Sequence, residues 1–446
     1  MNKILFWSFS VALAGFLFGF DTIVISGADQ KLQELWNTSD VFHGFVVMAS
    51  ALWGTVIGAM TGGIPTNKYG RKNTLIAIGV LYFVSALGSA LANDPYTFAF
   101  FRFIGGLGIG ASTIAAPAYI SEIAPPQKRG RLVAMYQLAI VVGILTAFLS
   151  NYLLRNVDEQ PWRWMIGIAA FPSLIYGIAV LFIPNSPRWL VMKGRVAEAE
   201  KVLKMIDPGT DIDSSVIDSD IKINSFVAEI RSAEAPGDEN IFMKKYRPAL
   251  LLAFFIAFFN QFSGINAILY YAPRIFEEAG LVSSSALLSS AGMGLINLFF
   301  TLIGMALIDR LGRKQLMYIG SFGYIISLTL VALSFFFGWK GLSVPVFLFV
   351  FIAAHAIGQG TVIWVFIAEL FPTHLRASGQ AFGSSVHWVL AAAIPSLIPF
   401  LFSKVGAEVV FAIFALMMVG QLLWVRFKMP ETKGVSLEEV SRSLMI

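Results

Sequence analysis

Twelve apolar stretches, each about as long as a helix needs to cross a bilayer, constrain this chain more than any other feature. They fall near 4–26, 43–63, 74–92, 98–120, 132–153, 164–183, 248–270, 284–307, 315–337, 345–368, 380–402 and 407–427. Most connections between them are short, but 184–247 is polar and rich in Asp, Ser and Lys. Only 13% of the residues are charged and 57% are hydrophobic. A water-exposed domain carries about 25% charged residues, so the fitting solvent is lipid. The first stretch, Ile4 to about Ile25, could be a cleaved signal, but no small-residue cleavage site follows it and Asp21 interrupts it. It reads as an uncleaved first span.

The charges orient the spans. With the N-terminus inside, the inner segments hold 25 of the 32 Lys and Arg and the outer segments 6, with Arg102 inside a span. That bias places both termini and the long loop in the cytoplasm. The net charge of +5 is therefore topology, with no basic and aromatic tract to suggest nucleic acid. Without cysteine the chain has no disulfide, thiolate metal site or cysteine nucleophile.

Three motifs recur at nearly one offset. Gly70-Arg71-Lys72 returns as Gly312-Arg313-Lys314. Ser121-Glu122-Ile123-Ala124-Pro125 with Arg129 returns as Ala368-Glu369-Leu370-Phe371-Pro372 with Arg376. Pro184-Asn185-Ser186 returns as Pro430-Glu431-Thr432. The sequence thus predicts an all-α membrane protein of twelve transmembrane helices in two parallel six-helix repeats, the major facilitator fold, with substrate between the halves near the midplane. The expected divisions are an N-terminal bundle, 1–183; a cytoplasmic linker, 184–247; a C-terminal bundle, 248–428; and a cytoplasmic tail, 429–446. Within the linker, Val196, Ala199, Val202, Leu203 and Ile206 recur at helical spacing opposite Lys201 and Lys204, predicting short amphipathic helices. Residues 207–220 fit such helices and disorder equally well.

Over nearly its whole length the chain resembles the sugar porter family of the major facilitator superfamily. The residues carrying the resemblance are Gly19-Phe20-Asp21-Thr22, Arg102-Phe103-Ile104-Gly105-Gly106, Glu122 through Arg131, Pro187-Arg188-Trp189-Leu190, Gln261 through Asn266 with Tyr270-Tyr271, Asp309 through Lys314, Ala368 through Pro372, and Pro430 through Gly434. The family includes human facilitative glucose transporters and bacterial proton-coupled symporters.

The resemblance implies three sets of working residues. Arg71, Glu122, Arg129, Arg313, Glu369 and Arg376, at inner helix ends, would form ion pairs that hold the inward gate closed; plain surface pairs would be worth only ~0–1 kcal/mol. Asn185 stands where the family usually has Glu, which would weaken the first half's pairing. Sugar hydroxyls need amides, which donate and accept, and aromatic surfaces. The matching positions are Gln137, Asn260, Gln261, Asn266, Asn297, Trp364, His387 and Trp388. Such amides could instead join helices. Here Asn260 replaces one of the family's paired glutamines, His387 replaces an Asn or Gln, and Gly358-Gln359-Gly360-Thr361 lacks the family's prolines, leaving glycine to break the tenth span. His43 and His355 read as packing or interface residues. Finally, Asp21 and Arg102 are charges within apolar spans, where each costs at least ~2.5–3.5 kcal/mol unless paired or functional. A conformational change that parts them would let Asp21 take a proton. The bacterial symporters share this aspartate, whereas the facilitative glucose transporters have a neutral residue.

These readings predict secondary transport of a hexose or pentose by alternating access, in symport with a proton, by a monomer in a bacterial inner membrane. A uniporter with a permanent Asp21–Arg102 pair is the alternative, and a sugar sensor a more remote one. Enzyme chemistry finds no clustered nucleophile and base, and no cofactor is implied; ATP finds no phosphate-binding Gly-x-x-x-x-Gly-Lys-Ser/Thr loop. The partners expected are a monosaccharide, the proton and the lipid bilayer. Asn37-Thr38-Ser39 forms a glycosylation triplet in an outer loop, too common by chance to identify the source.

Overall fold

Lipid offers a backbone amide no partner, so a span must satisfy its own backbone, and an apolar run therefore becomes a helix. The computed structural model, which describes residues 2–125, 128–206, 240–372, 375–435 and 444, follows this rule and has no strand among the described residues. The spans of the first half are α1 (Asn2–Val24), α2 (Asp40–Met48 and Ser50–Thr61), α3 (Arg71–Leu91), α4 (Pro95–Ile123), α5 (Arg129–Leu154) and α6 (Pro161–Leu181). Those of the second are α7 (Lys244–Tyr270), α8 (Ser283–Leu311), α9 (Arg313–Phe336), α10 (Ser343–Glu369), α11 (Arg376–Val405) and α12 (Ala407–Phe427). Eleven are continuous enough to cross a bilayer alone; α2 is a twelfth, bent by 45° between its two pieces. A widened turn over His43–Met48 makes that bend.

Local chemistry sets the ends. Asp94 caps α4 by accepting from the amides of Tyr96 and Thr97, with Pro95 in the first turn. Hydrogen bonds from Thr97 and Tyr96 hold the Asp94 carboxyl below its ordinary range. Gly70 and Gly312 open α3 and α9 at φ +94° and +90°, a conformation glycine adopts without strain. This explains one of the three repeated motifs.

Each half is tightly packed. On α1 and α5, a Cβ on Gly19 would lie 1.9 Å from the Ile140 carbonyl oxygen, and one on Gly143 2.1 Å from that of Phe16. Gly54 and Gly58 on α2 face Gly106 and Gly110 on α4, where a Cβ on Gly106 would lie 2.0 Å from the Ala51 carbonyl oxygen. Small residues four apart let helix backbones touch, the main source of packing energy in lipid. Large apolar side chains such as Ile64, Phe171, Phe336 and Leu416 stay exposed on the outside, as a lipid-facing surface requires.

The halves meet mainly through two contacts related by the repeat, α2 with α11 and α5 with α8, with smaller ones between α1 or Ile25–Gly27 and Ile265–Tyr270 or Ala272–Glu278. The first brings Gly44 against the backbone of Ser396, and the second brings Gly294 against Leu145. Between the halves, the helices Pro187–Met192 and Val196–Ile206 share a small core of Trp189, Leu190, Val191, Ala199 and Val202. The expected amphipathic helix is thus present over 196–206, while 207–220 lies outside the described residues. The end bearing these helices is called the linker end; the opposite one, with Ile25–Asp40 and the residues after Tyr271, is the far end.

Candidate functional site

The span α7 is broken in its middle. Gly264 takes φ +83° between Arg247–Phe262 and Ile265–Tyr270. That break turns Asn266 back toward Gln261, and Asn266 Nδ2 donates to Gln261 Oε1 at 2.8 Å. Gln261 Nε2 donates to Asn260 Oδ1 at 2.9 Å and lies 3.2 Å from His387 Nδ1 on α11. His387 sits between two indoles, with ring centroids 4.9 Å from Trp364 and 5.0 Å from Trp388. Six of the eight residues predicted to bind sugar therefore form one cluster. Trp388 also reaches the other half, its ring 5.4 Å from that of Phe18. Its buried indole N–H has no partner among the described residues.

Gln137 and Asn297 are not joined to this cluster by any described bond. Asn297 accepts from Thr301 Oγ1 at 3.4 Å, and Gln137 is half-buried on α5. The span α10 breaks at Gly358, between Ser343–Ile357 and Gln359–Glu369. A Cβ there would lie 2.9 Å from Gly320 Cα, so two glycines set the break where prolines were absent.

Asp21 and Arg102 do meet. Arg102 Nη1 lies 2.6 Å from Asp21 Oδ1, and Arg102 Nη2 donates to the Asp21 carbonyl oxygen at 2.7 Å. Both residues are buried, and Asp21 Oδ2 has no partner among the described residues.

The linker-end charges pair within each half. Arg71 Nη2 reaches Glu122 Oε1 at 2.8 Å, and Arg313 Nη2 reaches Glu369 Oε1 at 2.7 Å. Each pair joins two helices of one half. Glu122 also accepts from Ser186 at 2.5 Å, and Glu369 from Thr432 at 2.6 Å, so each pair ties a bundle to the segment that follows it. Arg129 is exposed and makes no ion pair among the described residues, whereas Arg376 is half-buried at the start of α11. The halves differ where the sequence does. Glu431 accepts from the backbone amides of Arg313, Lys314, Thr432 and Lys433 at 2.9–3.0 Å. Asn185, its counterpart, makes no hydrogen bond among the described residues.

A polar cluster at the far end escaped the sequence reading. Asp29 and His43 are buried, with Asp29 Oδ1 2.7 Å from His43 Nε2. From the other half, Arg274 Nη1 lies 3.6 Å from Asp29 Oδ2, and Arg274 Nη2 donates to Gln33 Oε1. Gln33 in turn donates to Asp40 Oδ1 at 2.8 Å. Arg274 thus supplies both a hydrogen bond and an ion pair from the second half to the first, and Ser403 of α11 also reaches Asp40 across the same seam. His43 is thus an interface residue, as read. Its partners carry no sequence motif; only Asp29 and Arg274 standing as charges close to span ends could have signalled them.

Residues 7–444 match the family described as "Sugar (and other) transporter". The chain is 38% identical to a putative metabolite transport protein, YwtG, of Bacillus subtilis, over 97% of this chain and 93% of that protein. It is 34% identical to the arabinose-proton symporter of the same organism, covering 99% and 95%. Its fold matches a partially occluded inward open conformation of the xylose transporter XylE from E. coli with TM-score 0.84, 29% identity, and 98% and 100% coverage.

Proposed function

The chain belongs to the sugar transporter family, a bacterial-type sugar porter of the major facilitator fold and not an enzyme, and from that premise we propose that it carries a monosaccharide into the cell in symport with a proton. The observation that carries this reading is the cluster of Asn260, Gln261, Asn266 and His387 between Trp364 and Trp388, set against Phe18 of the opposite half. Amides supply donors and acceptors for hydroxyls, and indoles cover the apolar face of a pyranose or pentose ring. Gln137 and Asn297, on the two helices α5 and α8 that meet across the interface, complete the site from either side.

In this reading residues 1–183 and 248–428 rock against each other as rigid bundles. The segment 184–247 and the termini lie in the cytoplasm, where the Lys and Arg bias puts them. The far end is then extracellular, and closed by Arg274 this structure faces inward. Support comes from the likeness to a XylE structure described as inward open. Asp21 takes a proton on Oδ2 when the site faces outward and gives it up as Arg102 closes on it. The arabinose-proton symporter among the relatives supports proton coupling, and the transporting unit is the monomer.

Uptake of labelled pentoses and hexoses into proteoliposomes tests this. We expect one or more sugars to accumulate above equilibrium when the lumen is made alkaline. Uptake that only equilibrates, whatever the pH gradient, would leave a uniporter.

A further inference from the structure

Beyond the residues that would touch sugar, the buried amides continue outward as a chain. Asn260 Nδ2 donates to Gln359 Oε1 at 3.1 Å, Gln359 Nε2 donates to Gln421 Oε1, and Gln421 Nε2 donates to Ser321 Oγ at 2.8 Å. Ser321 ends the chain on the Met317 carbonyl at 2.7 Å. With Asn266 and Gln261 at its other end, five amides run in series across α7, α10, α12 and α9, each donating to the next. Asn260, Gln261, Gln359, Gln421 and Ser321 are all 2% exposed or less.

We propose that Gln359 is a positioning residue of the sugar site and Gln421 its anchor, a role that rests on the reading of Asn260, Gln261 and Asn266 as sugar contacts. The argument is one of direction. A primary amide has a donor end and an acceptor end. Reversing one member of a series sets two donors or two acceptors face to face, which is costly in a buried site. The carbonyl of Gln359 therefore fixes which way Asn260 points, Asn260 fixes Gln261, and Gln261 fixes Asn266. Ser321, itself committed to a backbone carbonyl, sets the direction from the outer end. The site thereby presents the Asn266 carbonyl as its open end and keeps the Gln261 amide turned toward His387. Gln359 is also the first residue past the break at Gly358. A change of bend in α10 moves Gln359 relative to its anchor, so the orientation of the sugar-facing amides follows the shape of that span.

The test is sugar affinity in a double-mutant cycle. Gln359→Met keeps the length and removes both bonds. We expect it to weaken binding of the transported sugar about tenfold in the wild-type background, the effect of one disoriented buried hydrogen bond. In an Asn260→Ala background the same change should cost less than about twofold, because every path from Gln359 to the sugar runs through Asn260. Gln421→Met should show the same pattern at smaller size, and it serves if Gln359→Met is not monodisperse in detergent. An equal loss in both backgrounds means a merely structural role and overturns the proposal. Wild-type affinity in Gln359→Met together with weak binding in Gln261→Ala overturns it alone, whereas wild-type affinity in Gln261→Ala overturns the sugar-site reading and this proposal with it.

Discussion

Arg274→Ala removes a side chain that makes both a hydrogen bond and an ion pair between the halves. The contact to Asp29 spans 3.6 Å between groups that are 16% and 2% exposed, and a second bond goes to the neutral Gln33. Breaking a buried charge pair from one side costs about 3–5 kcal/mol. Asp29 keeps His43 at 2.7 Å, so the smaller figure of about 2 kcal/mol, typical of a hydrogen bond to a charged group, applies. It falls on one conformation only, since the contacts exist only while the far end is closed. The closed-to-open ratio should then fall about 30-fold, because about 1.4 kcal/mol is a factor of ten.

The assay uses the absence of cysteine in the natural chain. Ser396 is buried beside Gly44 in the far-end contact, so Ser396→Cys offers a single thiol reachable only when that end opens. Arg274→Ala should speed its labelling by a membrane-impermeant maleimide by at least about tenfold. Gln33→Ala, which loses one neutral partner worth about 1 kcal/mol, should speed it about fivefold. Unchanged labelling in a monodisperse Arg274→Ala protein would refute the idea that this cluster holds the far end shut.

Asp21→Asn should abolish accumulation driven by a pH gradient yet retain sugar exchange between equal pools, since the sugar cluster is untouched; accumulation that persists would reduce the Asp21–Arg102 pair to scaffolding. Gln261→Ala and Gln137→Ala should each weaken sugar binding at least about tenfold, and a normal affinity in Gln137→Ala would confine the site to the second half. Glu431→Gln should lower thermal stability by about 1–2 kcal/mol, because the carboxylate caps α9 with charge as well as hydrogen bonds. Asn185→Ala, at the matching place in the first half, should cost less than about 0.5 kcal/mol; equal losses in the two variants would show that the missing acid makes no difference.

What could be read from the sequence follows the range of the interactions. A span announces itself within some twenty consecutive residues, so all twelve were legible, and α4, expected near 98–120, runs from Pro95 to Ile123. The bend in α2 was not, because the wide turn at His43–Met48 leaves the apolar run unbroken. Repetition made Arg71, Glu122, Arg313 and Glu369 stand out as working charges. It could not say which acid each arginine would choose, since that depends on how the helices pack. Gln359, Gln421 and Ser321 are scattered polar residues until three helices bring them together. The same holds for Asp29, His43 and Arg274, which come from both halves.

The distribution of these interactions accounts for how such a molecule can rock. Inside each half, backbones touch at glycines, and two-bond arginine–glutamate pairs brace the linker end. Deforming a half breaks many such contacts at once. Between the halves stand the Arg274 contacts, the close approaches at Gly44 and Gly294, and the ring contact of Phe18 with Trp388. The weak seam is therefore the boundary between bundles, and motion concentrates there. A ligand can shift such an equilibrium only by its difference in affinity for the two states. Trp388 is placed to supply that difference, because its ring spans the seam while its N–H has no partner among the described residues. A sugar hydroxyl that accepts from this N–H gains a bond whose geometry depends on where Phe18 lies, and so on the position of the opposite half. Under the proposed function, Trp388 would thus bind sugar at the same seam on which the two bundles turn.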